Sequence, residues 1–154
     1  MAGRRKSREL ALQMLFQWDF SKEAYGEVRD SFWTLHQETD EDVRSFSDRL
    51  VEGTIEYVEM IDELLARHAE HWRLPRMPTV DRNILRMATF ELLYETGTPC
   101  AVVINEALEV ARKFSTHESI LFINGILDSI RKEQEGQDPS AKKPVETPVE
   151  PNQS

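Results

Sequence analysis

Apolar side chains recur along most of this chain at the three- and four-residue spacing that places them on one side of an α-helix. Near the start, Leu10, Met14 and Trp18 fall four residues apart and predict an amphipathic helix over about residues 7–20. Later stripes with similar spacing predict further helices: Val28, Phe32 and Leu35; Phe46, Leu50, Ile61 and Leu65; Ile84, Leu85, Ala88 and Leu92; Val103, Ala107, Val110 and Phe114; and Ile123, Ile126, Leu127 and Ile130.

Helix-breaking residues divide these stripes. Pro75 and Pro78 resist helix formation and predict a linker between an N-terminal and a C-terminal half. Gly97 and Pro99 predict the end of one helix and the first turn of the next. The stripe from Phe46 to Leu65 is too long for an uninterrupted helix, so we expect a break near residues 53–57.

No segment of convincing length alternates apolar and polar residues as a β-strand does. The prediction is therefore an all-α fold, an orthogonal bundle of six to seven helices in two halves, over residues 1–133. Residues 134–154 differ in composition, because prolines and polar or charged residues dominate there. Such a segment cannot bury enough apolar surface to offset its ordering entropy, so we expect a disordered, proline-rich tail.

Charge is distributed unevenly along the chain. The formal net charge is −9, from 28 acidic and 19 basic side chains, which argues against binding of nucleic acid over the whole surface. The first eight residues contain no acid but hold four basic side chains, which we call the basic arm: Arg4, Arg5, Lys6 and Arg8. Such an arm can bind a phosphate backbone while the acidic body repels RNA elsewhere.

The composition also indicates a compartment. No apolar run is long enough to cross a membrane, and the first residues lack a signal-peptide pattern. The one cysteine, Cys100, excludes an intramolecular disulfide and suits a reducing environment. We therefore expect a cytoplasmic protein.

Signals for catalysis or for a bound cofactor are weak. Neither a glycine-rich phosphate loop nor a nucleophile elbow is present. Cys100 precedes an apolar run and is interpreted as a structural thiol. His68 and His71, with Glu70 between them, resemble half of a metal site, but no second pair of ligands completes it. We expect no enzyme activity, no metal and no cofactor.

The basic arm is the stronger functional candidate. Its first three residues precede the predicted helix, and Arg8 lies in the first turn. Cations at a helix N-terminus oppose the helix dipole, and an external anion such as an RNA phosphate would relieve that conflict. The alternative is a short basic segment that is merely solvated. Phe16 lies off the apolar stripe and Phe122 opens the last helix, so both are candidates for stacking on bases.

Polar residues interrupt the stripes of the last two helices. They are Asn105, Glu106 and the pair Asn124 and Gly125. We interpret them as interior hydrogen-bonding or close-packing positions rather than as ligand contacts.

Four blocks of sequence carry a family resemblance. They are RRKSRELALQMLFQW at residues 4–18, VDRNILRMA at 80–88, VINEALEVARKF at 103–114 and FINGILD at 122–128. In this order and at this spacing they resemble the NusB family of bacterial transcription antitermination factors, over roughly residues 4–131. The resemblance implies an all-helical fold and a role without catalysis.

The resemblance also implies partners. NusB-like proteins pair with NusE, which is also a small-subunit ribosomal protein. The pair binds the boxA element of nascent RNA and helps RNA polymerase to read through terminators, chiefly in ribosomal RNA operons. The expected partners are therefore boxA RNA, NusE and the RNA polymerase antitermination complex, with a homodimer left open.

Site residues follow from the same resemblance. The family's arginine-rich N-terminus and two of its aromatic positions contact RNA, and the matching residues here are Arg4, Arg5, Lys6, Arg8, Phe16 and Phe122. Asp81 and Glu118 match acidic positions linked to the surface that binds NusE and RNA. Each has an alternative, because Glu118 could form a capping box with Ser115, and Asp81 could act on the dipole of its own helix.

Two other functions stay open. A NusB-like domain also begins some ribosomal RNA cytosine methyltransferases, but those need a following nucleotide-fold domain, where this chain has the predicted tail. A helical protein-interaction module that never contacts RNA is the third hypothesis.

Overall fold

The fold is built from helices. The computed structural model describes residues 2–69 and 74–137, and within these ranges no β-strand occurs. The described α-helices are α1 (Ala2–Ser21), α2 (Tyr25–Leu35), α3 (Glu41–Glu56), α4 (Val58–His68), α5 (Thr79–Tyr94), α6 (Cys100–Phe114) and α7 (His117–Gln137). A short 3₁₀ helix, Leu74–Arg76, precedes α5. The predicted all-α class is confirmed.

Helix α5 forms the centre of the bundle. It contacts α1, α3, α4, α6 and α7, and every side chain from Asn83 to Tyr94 is buried. The charged side chains of such an enclosed helix need partners inside the protein. Those internal partners fix both ends of α1, where the candidate interface lies.

A glycine sets the distance between α3 and α5. A Cβ atom built on Gly53 would lie 2.1 Å from Cζ of Phe90. The missing side chain therefore lets α3 pack directly on the Phe90 ring. Helix α3 ends at Glu56 and α4 begins at Val58, which confirms the predicted break near residues 53–57.

Helix α1 lies close to α3 near its own N-terminus. Ser7 is buried, and its hydroxyl lies 2.9 Å from the carbonyl oxygens of both Gly3 and Val43. The hydroxyl of Ser47 donates in turn to the carbonyl oxygen of Ser7 at 2.8 Å. These hydrogen bonds hold the first turns of α1 against α3, so the basic arm is part of the bundle.

Two predicted boundaries differ from the structure. Helix α1 begins at Ala2 rather than near residue 7, so the whole basic arm lies within the helix. Helix α7 extends to Gln137, past the predicted start of the tail at residue 134. The rest of the predicted tail, residues 138–154, lies outside the described residues.

The turn between α6 and α7 also differs from its prediction. The hydroxyl oxygen of Thr116 accepts the backbone N–H of Ser119 at 3.1 Å and so caps the first turn of α7. Ser115 instead ends α6, and its hydroxyl donates to Asp81. The predicted capping box of Ser115 with Glu118 is therefore wrong.

The histidine pair can be followed only in part. The ring nitrogens of His68 lie 2.6 Å from Oγ of Ser129 and 3.1 Å from Oε1 of Glu133, whereas His71 and Glu70 lie outside the described residues. Among the described residues, no group of histidine, cysteine or acidic side chains could hold a metal ion. None of the described helices is long and apolar enough to cross a membrane.

Candidate nucleic-acid interface

The basic arm lies at the N-terminal end of α1, and its four cations have different surroundings. Arg4 and Lys6 are exposed and form no ion pair with any described residue, whereas Arg5 and Arg8 are bound to carboxylates. This difference decides which cations are free to bind a phosphate.

Arg8 is buried in a bidentate salt bridge with Glu91 of α5. Its Nε and Nη2 atoms donate to the two carboxylate oxygens of Glu91, each at 2.8 Å, and the two side chains are only 4% and 1% exposed. Burial alone would lower the pKa of Arg8, but the hydrogen bonds and charge of Glu91 raise it above its ordinary value. The RNA contact expected of Arg8 does not fit this burial, because it would break the bridge and leave a charged Glu91 inside the protein.

Arg5 forms a more exposed salt bridge with Glu106 of α6. Its Nε and Nη2 atoms donate to the two oxygens of Glu106, each at 3.0 Å. The hydrogen bond from Arg5 lowers the pKa of Glu106, and it outweighs the effect of partial burial. The side chain of Arg5 remains 47% exposed, so a phosphate can still approach it. Glu106 is half-buried and accepts these hydrogen bonds near the surface, so its predicted hydrogen-bonding role holds but its predicted interior position does not.

These two bridges supply the anions that the start of α1 requires. Arginines in the first turns oppose the helix dipole, and Glu91 and Glu106 neutralise two of them from within the protein. Local sequence cannot reveal either carboxylate, because they lie 83 and 101 residues from their partners. Within the basic arm, the cations left to bind a phosphate are therefore Arg4, Lys6 and the exposed part of Arg5.

An exposed pair of aromatic rings lies farther along α1. Phe16 is 39% exposed and Phe20 is 76% exposed, and their rings are nearly parallel with centroids 6.0 Å apart. The predicted position of Phe16 off the buried stripe is confirmed. Phe20 was not singled out, although its spacing from Phe16 places both rings on one face of the helix. Exposed rings of this kind stack on unpaired bases.

Glu118 and Phe122 lie near the start of α7. Glu118 is exposed in the first turn, as a partner contact requires. Phe122 is half-buried and packs against the core. It therefore offers less surface to a base than Phe20 does.

Asp81 holds the turn between α6 and α7 from inside. It is 2% exposed, and its carboxylate accepts hydrogen bonds from the hydroxyls of Ser115 and Ser119, the latter at 2.6 Å. The direct partner contact expected of Asp81 does not fit this burial. Its carboxylate instead positions the turn that carries Glu118, which lies between the two serines in sequence.

The C-terminal end of α1 is fixed by Asp19, a residue that was not singled out from the sequence. Its Oδ2 atom accepts hydrogen bonds from three side chains of α5: Arg82 at 2.8 Å, Asn83 at 3.1 Å and Arg86 at 3.1 Å. Burial would raise the pKa of Asp19, but these donors and charges lower it below its ordinary value. The cluster locks α1 onto α5 beside the exposed rings of Phe16 and Phe20.

The other polar interruptions lie on the surface. Asn105, Asn124 and Gly125 are exposed. The prediction of interior positions for these three residues is wrong, because the inward sides of α6 and α7 carry apolar residues instead, among them Val103, Ala107, Ile123 and Ile126.

The sequence is similar to a known family. The sequence model of the NusB family matches residues 5–132. The transcription antitermination protein NusB of Koribacter versatilis is 53% identical over 130 residues, which make up 84% of this chain and 89% of that protein. The NusB protein of Solibacter usitatus is 48% identical over 134 residues, or 86% of this chain and 91% of that protein.

Solved structures share the fold. T. maritima NusB superposes with a TM-score of 0.78 at 40% identity, covering 84% of this chain and 91% of its own. A chain from the crystal structure of antitermination factors NusB and NusE in complex with dsRNA has a TM-score of 0.78 at 25% identity, covering 86% of this chain and 98% of its own. The match along most of the sequence and the common helical fold agree, and the chain belongs to the NusB family.

Proposed function

We propose that this protein binds boxA RNA together with NusE, within the RNA polymerase antitermination complex, and so supports transcription of ribosomal RNA operons. The observation that carries the proposal is the similarity to a chain from the crystal structure of NusB and NusE with dsRNA, which extends over 86% of this chain. The role is that of a scaffold, which holds an RNA and a protein together and makes or breaks no covalent bond.

For RNA, α1 offers two kinds of contact. Arg4, Lys6 and the exposed part of Arg5 can bind phosphate oxygens, which provides affinity with little regard to sequence. Phe16 and Phe20 offer ring faces to unpaired bases. Arg5 and Phe16 lie on nearly the same side of the helix and are separated by about 17 Å along it, at the usual rise per residue. The arrangement suits a single strand laid along α1.

For the protein partner, the charge of the body is the relevant feature. The chain carries 28 acidic against 19 basic side chains, which complements a basic ribosomal protein and favours its approach. Glu118 is the exposed acidic residue that we assign to this contact. Asp81 contributes indirectly, by holding the turn on which Glu118 lies.

Gel-shift titrations of boxA RNA with the protein alone, with NusE alone and with both proteins test the proposal. We expect the pair to bind more tightly than either protein, because each bound partner provides contacts for the other. A boxA RNA with the same bases in scrambled order is the control. Equal shifts for the two RNAs, or no gain from NusE, would contradict the proposal.

A helical adaptor that binds NusE but not RNA is the alternative that one observation favours. Arg5 and Arg8, half of the basic arm, are already paired within the protein. The adaptor predicts a complex with NusE in gel filtration and no RNA shift in the same titrations. A methyltransferase-related role predicts transfer of a labelled methyl group from S-adenosylmethionine to ribosomal RNA.

A further inference from the structure

A cleft beside the basic arm is lined by residues of both α1 and α3. Its volume is about 610 Å³, and its lining includes Arg4, Phe46 and Arg49. The family resemblance assigned no role to α3. The resemblance therefore leaves the ligand of Arg4 and Arg49 at this cleft unassigned.

The ring of Phe46 gathers three guanidinium groups at this cleft. The Cζ atom of Arg4 lies 3.8 Å from the ring centroid, that of Arg49 lies 5.3 Å away and that of Arg8 lies 5.5 Å away. Because Arg8 is buried in its bridge with Glu91, the cations at the opening are Arg4 and Arg49. An arginine placed over an aromatic ring is held in position and keeps N–H groups free to donate.

The charges at the opening favour an anion. Arg4 forms no ion pair with any described residue, and Arg49 donates to Glu95 at 3.2 Å while keeping 57% of its side chain exposed. Asp42 is the carboxylate in the lining, and it is exposed to water. Gly3 also lines the cleft, so the positive end of the α1 dipole adds to the two arginines.

We infer that this cleft binds a phosphate of the RNA backbone, with Arg4 and Arg49 as donors, so that the RNA strand continues from α1 onto α3. The inference rests on the proposed RNA-binding function and adds Arg49 to it. Planar guanidinium groups suit a phosphodiester, because each can donate two parallel N–H groups to its oxygens.

Salt-dependent titration of boxA RNA at saturating NusE tests the inference. Loss of one phosphate contact should weaken binding several-fold. It should also make the slope of the logarithm of the binding constant against the logarithm of salt concentration less negative by about 0.7, the contribution of one phosphate contact to a single strand. We expect this result for Arg49→Ala. The matched control is Arg29→Ala, because Arg29 also lies over a ring, 5.5 Å from that of Tyr25, and beside a carboxylate, but on α2. Its slope should equal that of the wild type.

Two further variants test the charge at the cleft and the effect of Arg49 on folding. Asp42→Asn removes the repelling carboxylate without removing a contact of Arg49, and it should tighten RNA binding. Arg49→Ala combined with Glu95→Gln avoids leaving a charged, mostly buried carboxylate without Arg49. This double variant should melt like the wild type in circular dichroism and still show the reduced salt slope.

Outcomes for the inference and for the proposed function can be told apart. The inference would be overturned if Arg49→Ala kept the wild-type slope and affinity, or if Arg29→Ala lost as much affinity and slope as Arg49→Ala. In either case, RNA binding by the wild type with NusE would still uphold the proposed function. No boxA binding by the wild type with NusE would overturn both.

Discussion

Replacing Arg8 with methionine tests the buried bridge between α1 and α5. Methionine keeps an unbranched side chain but removes the charge and the hydrogen bonds to Glu91. Because the two side chains are only 4% and 1% exposed, water cannot reach the carboxylate to replace the lost donor. Removing one member of such a buried pair costs about 3–5 kcal/mol, a large share of the stability of about 5–15 kcal/mol that is typical of a domain.

Urea denaturation followed by far-ultraviolet circular dichroism measures this loss. We expect a lower urea concentration at the midpoint of unfolding. The slope of the unfolding free energy against urea concentration should be unchanged, which indicates a change in stability alone. Arg5→Met is the matched control. Its bridge with Glu106 is largely open to water, so its midpoint should stay close to that of the wild type.

The double variant Arg8→Met with Glu91→Leu separates the loss of the bridge from the effect of the buried charge that Glu91 keeps in the single variant. Replacing both members of a buried pair with apolar residues is often neutral or stabilising, so most of the stability should return. The double variant should also bind boxA RNA with NusE as the wild type does. Wild-type stability in Arg8→Met would refute the structural role of the bridge, and a stable double variant without RNA binding would make Arg8 an RNA contact.

Three further changes test other contacts. Gly53→Ala should lower the Tm, with a cost of about 1–3 kcal/mol for overpacking, because its Cβ would meet the Phe90 ring; an unchanged Tm would show that the ring moves aside. Asp81→Ala removes the acceptor for the hydroxyls of Ser115 and Ser119, so amide hydrogen exchange at the turn between α6 and α7 should quicken, and unchanged protection would contradict its role. Asp19 has a lowered pKa in the folded protein, so its contribution to stability is present above its ordinary value of 3.8 and is lost as pH falls through the folded pKa. In Asp19→Asn, the Tm should therefore fall less steeply at acid pH than it does in the wild type. Identical curves of Tm against pH for the two proteins would contradict this.

Local patterns predicted most of the helices because each helix of a bundle buries a stripe, and a stripe is a local property of sequence. The exposure of Phe16 was predictable for the same reason, since the stripe through Leu10 and Met14 shows which side of α1 is buried. The break between α3 and α4 followed from a stripe that was too long for one helix.

Long-range contacts account for what local patterns missed. The start of α1 lacks an apolar stripe and is held instead by Ser7 against α3 and by Arg5 against α6. Arg8 has the charge and position of an RNA contact, but Glu91 binds it from 83 residues away. The burial of Asp81 likewise depends on a turn that follows it by more than thirty residues.

The placement of the basic arm within α1 has a consequence for how RNA is captured. A disordered basic segment becomes ordered only on binding, and the lost entropy reduces its affinity. Here the hydrogen bonds of Ser7 and Arg5 already hold the arm in its helical form, so the charges are preorganised before RNA arrives. Encounter with the phosphate backbone should then be steered by charge, with a rate that falls steeply as ionic strength rises and with no folding step after contact.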